Sequence, residues 1–345
     1  MNPALRLPAE WEPQAAILLA WPHAGTDWAE RLAAVEECFI ALVAAIARFQ
    51  PAVVCVADAD LEAYARARLS SARIDMDRVS FVEVPYNDTW LRDTGPITLV
   101  AAGEKGEAVL LDFRFTGWGG KFEASEDDRL VARLAEMGIF SNSEVQTIDF
   151  ALEGGAIDTD GRGTLLTTWR CLAERHPGQD REALSRKLAD WLQQDRVLWL
   201  DHGYLEGDDT DAHVDTLARF AAPDAIVFQA CDDPGDSHHA ELAAMAAEIA
   251  ALRTADGKPY RLFPLPWPRP VLDQGRRLAA SYANFLIVNG AVLMPTYGDP
   301  ADAAAADVLR AAFPGREIVQ VPCRDLIWQN GSLHCLTMQL PQGTL

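Results

Sequence analysis

Cys335, His213 and three carboxylates (Asp93, Glu153 and Asp215) are the side chains whose types and settings in this sequence suit covalent catalysis. A cysteine attacks as its thiolate and works with a base. His213-Val214-Asp215 offers an imidazole and a carboxylate two positions apart. If that stretch is extended, both point to one face while Val214 points into the core. His334 is adjacent to Cys335. If the chain after Asn330-Gly331 is extended, however, neighbours face opposite sides, so the base is expected from elsewhere, with His213 the best candidate. Cys55 in an apolar run and Cys38 on an apolar helical face read as core thiols.

The carboxylates sit in short polar segments flanked by glycine. Asn87-Asp88-Thr89-Trp90-Leu91-Arg92-Asp93-Thr94-Gly95 follows an apolar run, a setting that suits a site; the plain alternative is a turn in which Asp88 caps and Asp93 pairs with Arg92. Leu152-Glu153-Gly154-Gly155 holds one acid before two glycines, which otherwise reads as a surface turn. Phe115-Thr116-Gly117-Trp118-Gly119-Gly120 reads as a loop presenting a tryptophan face to a cation, or as a plug over the core. Asp208, Asp209, Asp211, His213 and Asp215 are dense in oxygen ligands, but they lack the central glycine and terminal glutamate of a calcium loop. His238-His239, near Asp232, Asp233 and Asp236, reads as a solvated loop before a helix.

A cysteine hydrolase acting on an amide needs a histidine and oxyanion donors, not three acids. Carboxylates make sense if the substrate is a cation. A guanidinium is planar, charged at neutral pH and pairs bidentately with carboxylates, which would fix its central carbon over the thiol. Its charge would also favour the thiolate.

The elements that must position these groups alternate along the chain. Strands are expected at Ala15 to Trp21, Ala52 to Val56, Val79 to Val84, Ala108 to Phe113, Gly163 to Thr168, Arg196 to Leu200, Ala225 to Gln229, Phe285 to Pro295 and Glu317 to Val321. Helices are expected at Ala29 to Phe49, Leu61 to Leu69, Glu126 to Glu136, Asp180 to Gln193, Ser237 to Leu252 and Ala301 to Phe313. The pattern is that of an α/β protein without a linker. The polar segments recur at Arg92, Glu153, His213, Ser281 to Asn284 and Gly331 to Cys335, roughly one strand-helix-strand unit apart. Five such units about an axis could each deliver one segment to a central site.

Composition narrows the classes further. The 345 residues are 49% hydrophobic and carry a formal net charge of -21, which disfavours nucleic acid and anionic membranes as partners. Neither a signal peptide nor a membrane-spanning run is expected. The six scattered cysteines fit reduced thiols in a cytoplasm.

The chain resembles agmatine deiminases, of the bacterial peptidyl-arginine-deiminase-like group in the guanidine-modifying pentein superfamily. The likeness runs from Pro8-Ala9-Glu10-Trp11-Glu12-Pro13 through Asn87 to Pro96, Phe115 to Gly120, Leu152 to Asp158, Gly207 to Phe220 and Ala280 to Pro300, to Gly331 to Leu340. It implies a five-bladed α/β propeller of ββαβ-type units within one catalytic domain, residues 1–345. It implies Cys335 as nucleophile, Asp93 and Asp215 holding the guanidinium, Glu153 and His213 as the acid-base pair, and Trp90 and Trp118 as pocket walls. The implied reaction is hydrolysis of agmatine to N-carbamoylputrescine and ammonia in putrescine biosynthesis, without metal or organic cofactor. A homo-oligomer is left open. Departures from the commonest pattern fall at Gln329 to Leu333 and at Trp169-Arg170-Cys171. The rivals are a deiminase of free or peptidyl arginine, with Arg92 and Arg114 as candidate partners for a substrate carboxylate; an amidinotransferase; and a non-catalytic polyamine-binding protein.

Overall fold

The computed structural model describes residues 5–101 and 108–345. Within them one unit recurs: two antiparallel strands, then a helical crossover to a third strand parallel to the second. Ile157–Thr159, Thr164–Thr168 and Arg196–Leu200 form one such sheet. Ala218–Ala222, Ala225–Gln229 and Arg261–Leu265 form the next, and Leu286–Val288, Ala291–Thr296 and Glu317–Pro322 a third. Ile97–Ala101, Ala108–Arg114 and Ser143–Ala151 follow the same plan, with Leu5–Arg6 added at the edge. Met338–Pro341 closes the set across the chain ends, pairing antiparallel to Gln14–Ala20, which is parallel to Ala52–Val56 and then to Val79–Glu83. A short ribbon, Leu272–Asp273 with Arg276–Arg277, stands apart.

The crossovers form where the sequence carries helical periodicity. Leu32–Ala47 buries Val35, Cys38, Phe39, Leu42, Val43 and Ile46, one stripe at three- and four-residue spacing. Asp58 and Asp180 start the helices Ala59–Ser71 and Arg181–Leu192 by accepting the amides of Leu61 and Ala183. The run Phe285 to Pro295, expected as one strand, is a hairpin, because Asn289-Gly290 supplies a tight turn within it.

In each of the five sheets the polar segment stands just before the first antiparallel strand. Arg92-Asp93 precedes Ile97, Glu153 precedes Ile157, His213-Asp215 precedes Ala218, Asn284 precedes Leu286, and Cys335 precedes Met338. Equivalent positions in repeated units therefore carry the candidate residues. Among the described residues, no helix is long and apolar enough to cross a membrane.

Candidate active site

Cys335 sits in a turn, not in extended chain. Its carbonyl accepts the Arg92 amide at 3.1 Å, and Asn284 Oδ1 accepts the amide of His334 at 3.0 Å. Asn284 Nδ2 lies 3.2 Å from the Cys335 Sγ and Asp215 Oδ2 lies 3.6 Å from it. The parity argument that set His334 aside thus rested on a strand that does not form. His334 nonetheless serves a different partner. Its Nδ1 lies 2.7 Å from Asp215 Oδ2 and its Nε2 lies 2.7 Å from Glu10 Oε1, so it braces Asp215.

His213 and Asp215 do reach one site, by a different route from the expected one. Val214–Thr216 is a single 3₁₀ turn, and both side chains are buried in it. His213 Nδ1 lies 3.7 Å from Asp93 Oδ1, and His213 Nε2 lies 3.6 Å from Glu153 Oε2. Asp93 does not pair with Arg92. Its Oδ1 accepts the Gly155 amide at 3.0 Å and its Oδ2 accepts Trp118 Nε1 at 2.9 Å. Gly155 has to be glycine: a Cβ there would stand 2.6 Å from His213 Nδ1, 2.8 Å from Asp93 Oδ1 and 3.2 Å from Asp215 Oδ2. These three distances place three candidate residues around one backbone atom.

Trp118 is itself left-handed (φ 54°) within the turn Gly117–Gly120, which swings its indole inward. Trp90 packs against Trp28 at 5.5 Å between ring centres. Both Trp90 and Trp118 line a cavity of about 890 Å³ together with Asp93, His213 and Cys335. Cys335 is the one cysteine on its wall among the described residues. Asp27, Glu30, Asp88, Glu123, Asp127, Asp208 and Asp209 line it too, among neutral and aromatic residues. Besides His213, the basic side chains of the wall among the described residues are engaged: Lys121 Nζ pairs with Asp211 at 2.7 Å, and Arg276 donates to Asn330 Oδ1 at 2.8 Å and to the Trp328 carbonyl. Arg92 is buried behind the wall against Glu10 and Gln339, and Arg114 is exposed with Asp149. Neither lines the cavity.

Electrostatics sort the acids. Burial pushes Asp93 up to about 6, with Asp215 and Glu153 adding repulsion against the pull of His213. Burial also raises Asp215, but its hydrogen bond to His334 and the charges around it win, so it stays below the usual range. Glu153 is likewise held low, burial being outweighed by His213 and Arg175. Burial lowers His213, yet Asp93, Cys171 and Glu153 together hold it well above its ordinary value, as an imidazolium. Burial, then Asp215 and Asp93, drive the Cys335 thiol well above its ordinary value. The arrangement can therefore bind a planar cation between two acids, offer it a proton donor and place a thiol beside it.

Three contributors had no role assigned from sequence. Asn284 lay in a noted polar segment, but nothing marked it as the partner of the thiol. Arg175 anchors Glu153 through Nε at 2.6 Å and Asp211 through Nη1 at 2.6 Å. Glu10 ties Arg92, Arg219 and His334 together across the chain. His238, read as solvated, is buried, with Nδ1 2.8 Å from Asp236 Oδ1 and Nε2 accepting the Glu206 amide at 2.7 Å.

Repeated antiparallel-parallel sheets and a carboxylate-lined thiol pocket are the marks of the guanidine-modifying enzymes of pentein fold. More narrowly, the chain belongs to the Porphyromonas-type peptidyl-arginine deiminase family, whose model matches residues 6–341. It is 35% identical to an agmatine deiminase of Stutzerimonas stutzeri over 97% of this chain and 95% of that one. A solved agmatine deiminase from C. jejuni with substrate bound superimposes with a TM-score of 0.90 at 32% identity, covering 99% of this chain and 98% of the other. A solved protein from Porphyromonas gingivalis with the working description of arginine deiminase has a TM-score of 0.89 at 45% identity, covering 99% of both chains.

Proposed function

We propose that the chain is an agmatine deiminase, converting agmatine and water to N-carbamoylputrescine and ammonia, and that it does so through a covalent thiouronium on Cys335. The observation that carries this reading is the pocket wall: it is rich in acids, has a thiol among them, and its lysine and arginine are already engaged. Agmatine has an ammonium where arginine has a carboxylate as well, and such a wall welcomes the first and repels the second. In this reading the five sheets are the blades of an α/β propeller about the pocket, in one cytoplasmic catalytic domain of residues 1–345.

In the proposed reaction Asp93 and Asp215 grip the guanidinium nitrogens. The bound charge, set among these acids, lowers the thiol pKa, the thiol gives its proton to solvent, and Cys335 Sγ as thiolate bonds to the guanidinium carbon. His213, charged beforehand, gives its proton to the departing nitrogen, and ammonia leaves. Water then attacks the thiouronium carbon and returns a proton to His213. The hydroxyl proton passes to the departing sulfur as the C–S bond breaks, releasing the ureido product and restoring the thiol. Glu153 orients His213 and supports its charged form. Ammonia release from agmatine, arginine and an arginine-ended peptide, measured side by side, tests the reading; preference for arginine or the peptide would overturn the substrate, and dependence on an added amine acceptor would favour an amidinotransferase.

A further inference from the structure

Cys171 is a buried thiol with no step of its own in the reaction above. It begins the second half-turn of the short helix Trp169–Arg175, and its Sγ lies 3.9 Å from Glu153 Oε2. His213 Nε2 lies 3.6 Å from the same oxygen. One ligand atom from each of Glu153, Cys171 and His213 falls within 4.8 Å of the other two. For bonds of about 2.0 Å to nitrogen or oxygen and about 2.3 Å to sulfur, the edge of a tetrahedron around zinc is about 3.3–3.5 Å. The two measured edges are within a few tenths of an ångström of that.

The surroundings of these atoms agree with the spacings. His213 Nε2 is fully enclosed and makes no hydrogen bond, the acid oxygen it faces, Glu153 Oε2, standing at 3.6 Å. Arg175 occupies the other oxygen of Glu153, Oε1, at 2.6 Å, which fixes the carboxylate with Oε2 turned toward the thiol and the imidazole. An imidazole, a thiolate and a carboxylate suit a borderline-soft divalent ion.

We propose that Glu153, Cys171 and His213 form a three-ligand inhibitory site for a divalent ion of the zinc type. The ion enters through the pocket, where His213 is the ligand that lines the wall. As it binds, Cys171 gives up its thiol proton and His213 its ring proton to solvent, so two positive charges leave as two arrive. The reaction does not need the ion. Its occupancy removes the proton donor, so it is an off-switch for the deiminase reading, on which the inhibitory half of the proposal rests.

Cobalt(II) added to the metal-free protein is the probe, because a thiolate bound to cobalt gives a charge-transfer absorption. One equivalent is expected to bind with that band. The band should survive in Cys335→Ala and vanish in Cys171→Ala, with Cys171→Ser as a second variant of nearly native volume. Zinc should inhibit ammonia release, and Cys171→Ser should need at least about tenfold more zinc for half-inhibition, the low end of what disturbing even an outer-shell partner of a metal costs. Absence of the band in the intact protein, or a band that requires Cys335, overturns the site. A band that requires Cys171 in a protein releasing no ammonia from agmatine would leave the site standing and the deiminase reading overturned.

Discussion

Asp215 Oδ2 lies 3.6 Å from the Sγ of Cys335, an anion beside the thiol proposed as nucleophile. The same oxygen lies 2.7 Å from His334 Nδ1, which holds it in place. In the free site burial and this carboxylate keep the thiol protonated. Asp215→Asn removes the charge but keeps the shape, so it should have opposite effects on two measurements. Alkylation of Cys335 by iodoacetamide should become faster at neutral pH, because the thiol pKa falls. Agmatine turnover should drop by about 100-fold or more, the scale of leaving a charged partner unpaired. Slower alkylation would show that Asp215 does not control the thiol.

Cys335→Ala separates binding from chemistry. The two acids and the aromatic walls remain, so calorimetric titration should give an agmatine affinity within about tenfold of the intact protein, while ammonia release should fall to background. Substantial residual turnover would remove Cys335 from the nucleophile's place.

Asp93 sets a pH limb. Burial and its neighbouring carboxylates raise it to about 6, so below that value it binds a proton and loses its charge for the guanidinium. Agmatine kcat/KM should therefore fall by about tenfold per pH unit below that point and level off above it, apart from any rise due to the thiol. A profile taken from about pH 5 to pH 8 checks this, and Asp93→Asn should abolish the acid limb while lowering the whole curve.

Much of this site was legible because its residues keep their meaning in one dimension. A Glu before two glycines, a His two places from an Asp, and a thiol after an Asn-Gly pair each marked a segment, and the alternation of runs gave the α/β frame. The geometry behind those marks was less legible. His213 and Asp215 share the site through a 3₁₀ turn, and periodicity cannot distinguish a three-residue turn from a short strand. The argument that set His334 aside failed for the same reason, its turn having been taken as extended, although its ring does face Asp215 and Glu10 and not the thiol. Arg175, Asn284 and Glu10 were missed because their roles depend on partners 22 to 324 residues away, and local spacing carries no information about such contacts. Cys171 was noticed only as the end of a motif whose preceding residues, Trp169-Arg170, depart from the common pattern, whereas its packing against Glu153 is a tertiary fact.

Gly155 should tolerate no side chain. Its φ is ordinary, so alanine would not strain the backbone, but the added methyl would meet His213 Nδ1 at 2.6 Å and Asp93 Oδ1 at 2.8 Å. Gly155→Ala should cost about 1–3 kcal/mol of stability, the scale of overpacking, and more than about tenfold in agmatine kcat/KM, because displacing either group by even 1 Å disturbs the proton donor and the guanidinium grip together. Thermal unfolding and ammonia release measured on the same preparation check both. A variant of native activity would mean that His213 and Asp93 are not held where the reaction needs them.

Arg175 is the fixed point from which Glu153, and through it His213, is aimed. Its Nε and Nη1 reach Glu153 and Asp211, both at 2.6 Å, and its side chain is buried. Lysine carries one ammonium and cannot span both acids as a planar fork does. Arg175→Lys should therefore keep the net charge yet lower kcat while leaving KM for agmatine within a fewfold, since the guanidinium grip of Asp93 and Asp215 is untouched. Arg175→Gln leaves Glu153 without its buried counter-charge and should destabilise the fold by about 3–5 kcal/mol. Glu153 would then titrate higher and His213 lower, because an acid without its cation takes up protons more readily and a neutral acid no longer supports an imidazolium. A loss confined to KM in the lysine variant would place Arg175 in substrate binding instead of in the positioning of the acid-base pair.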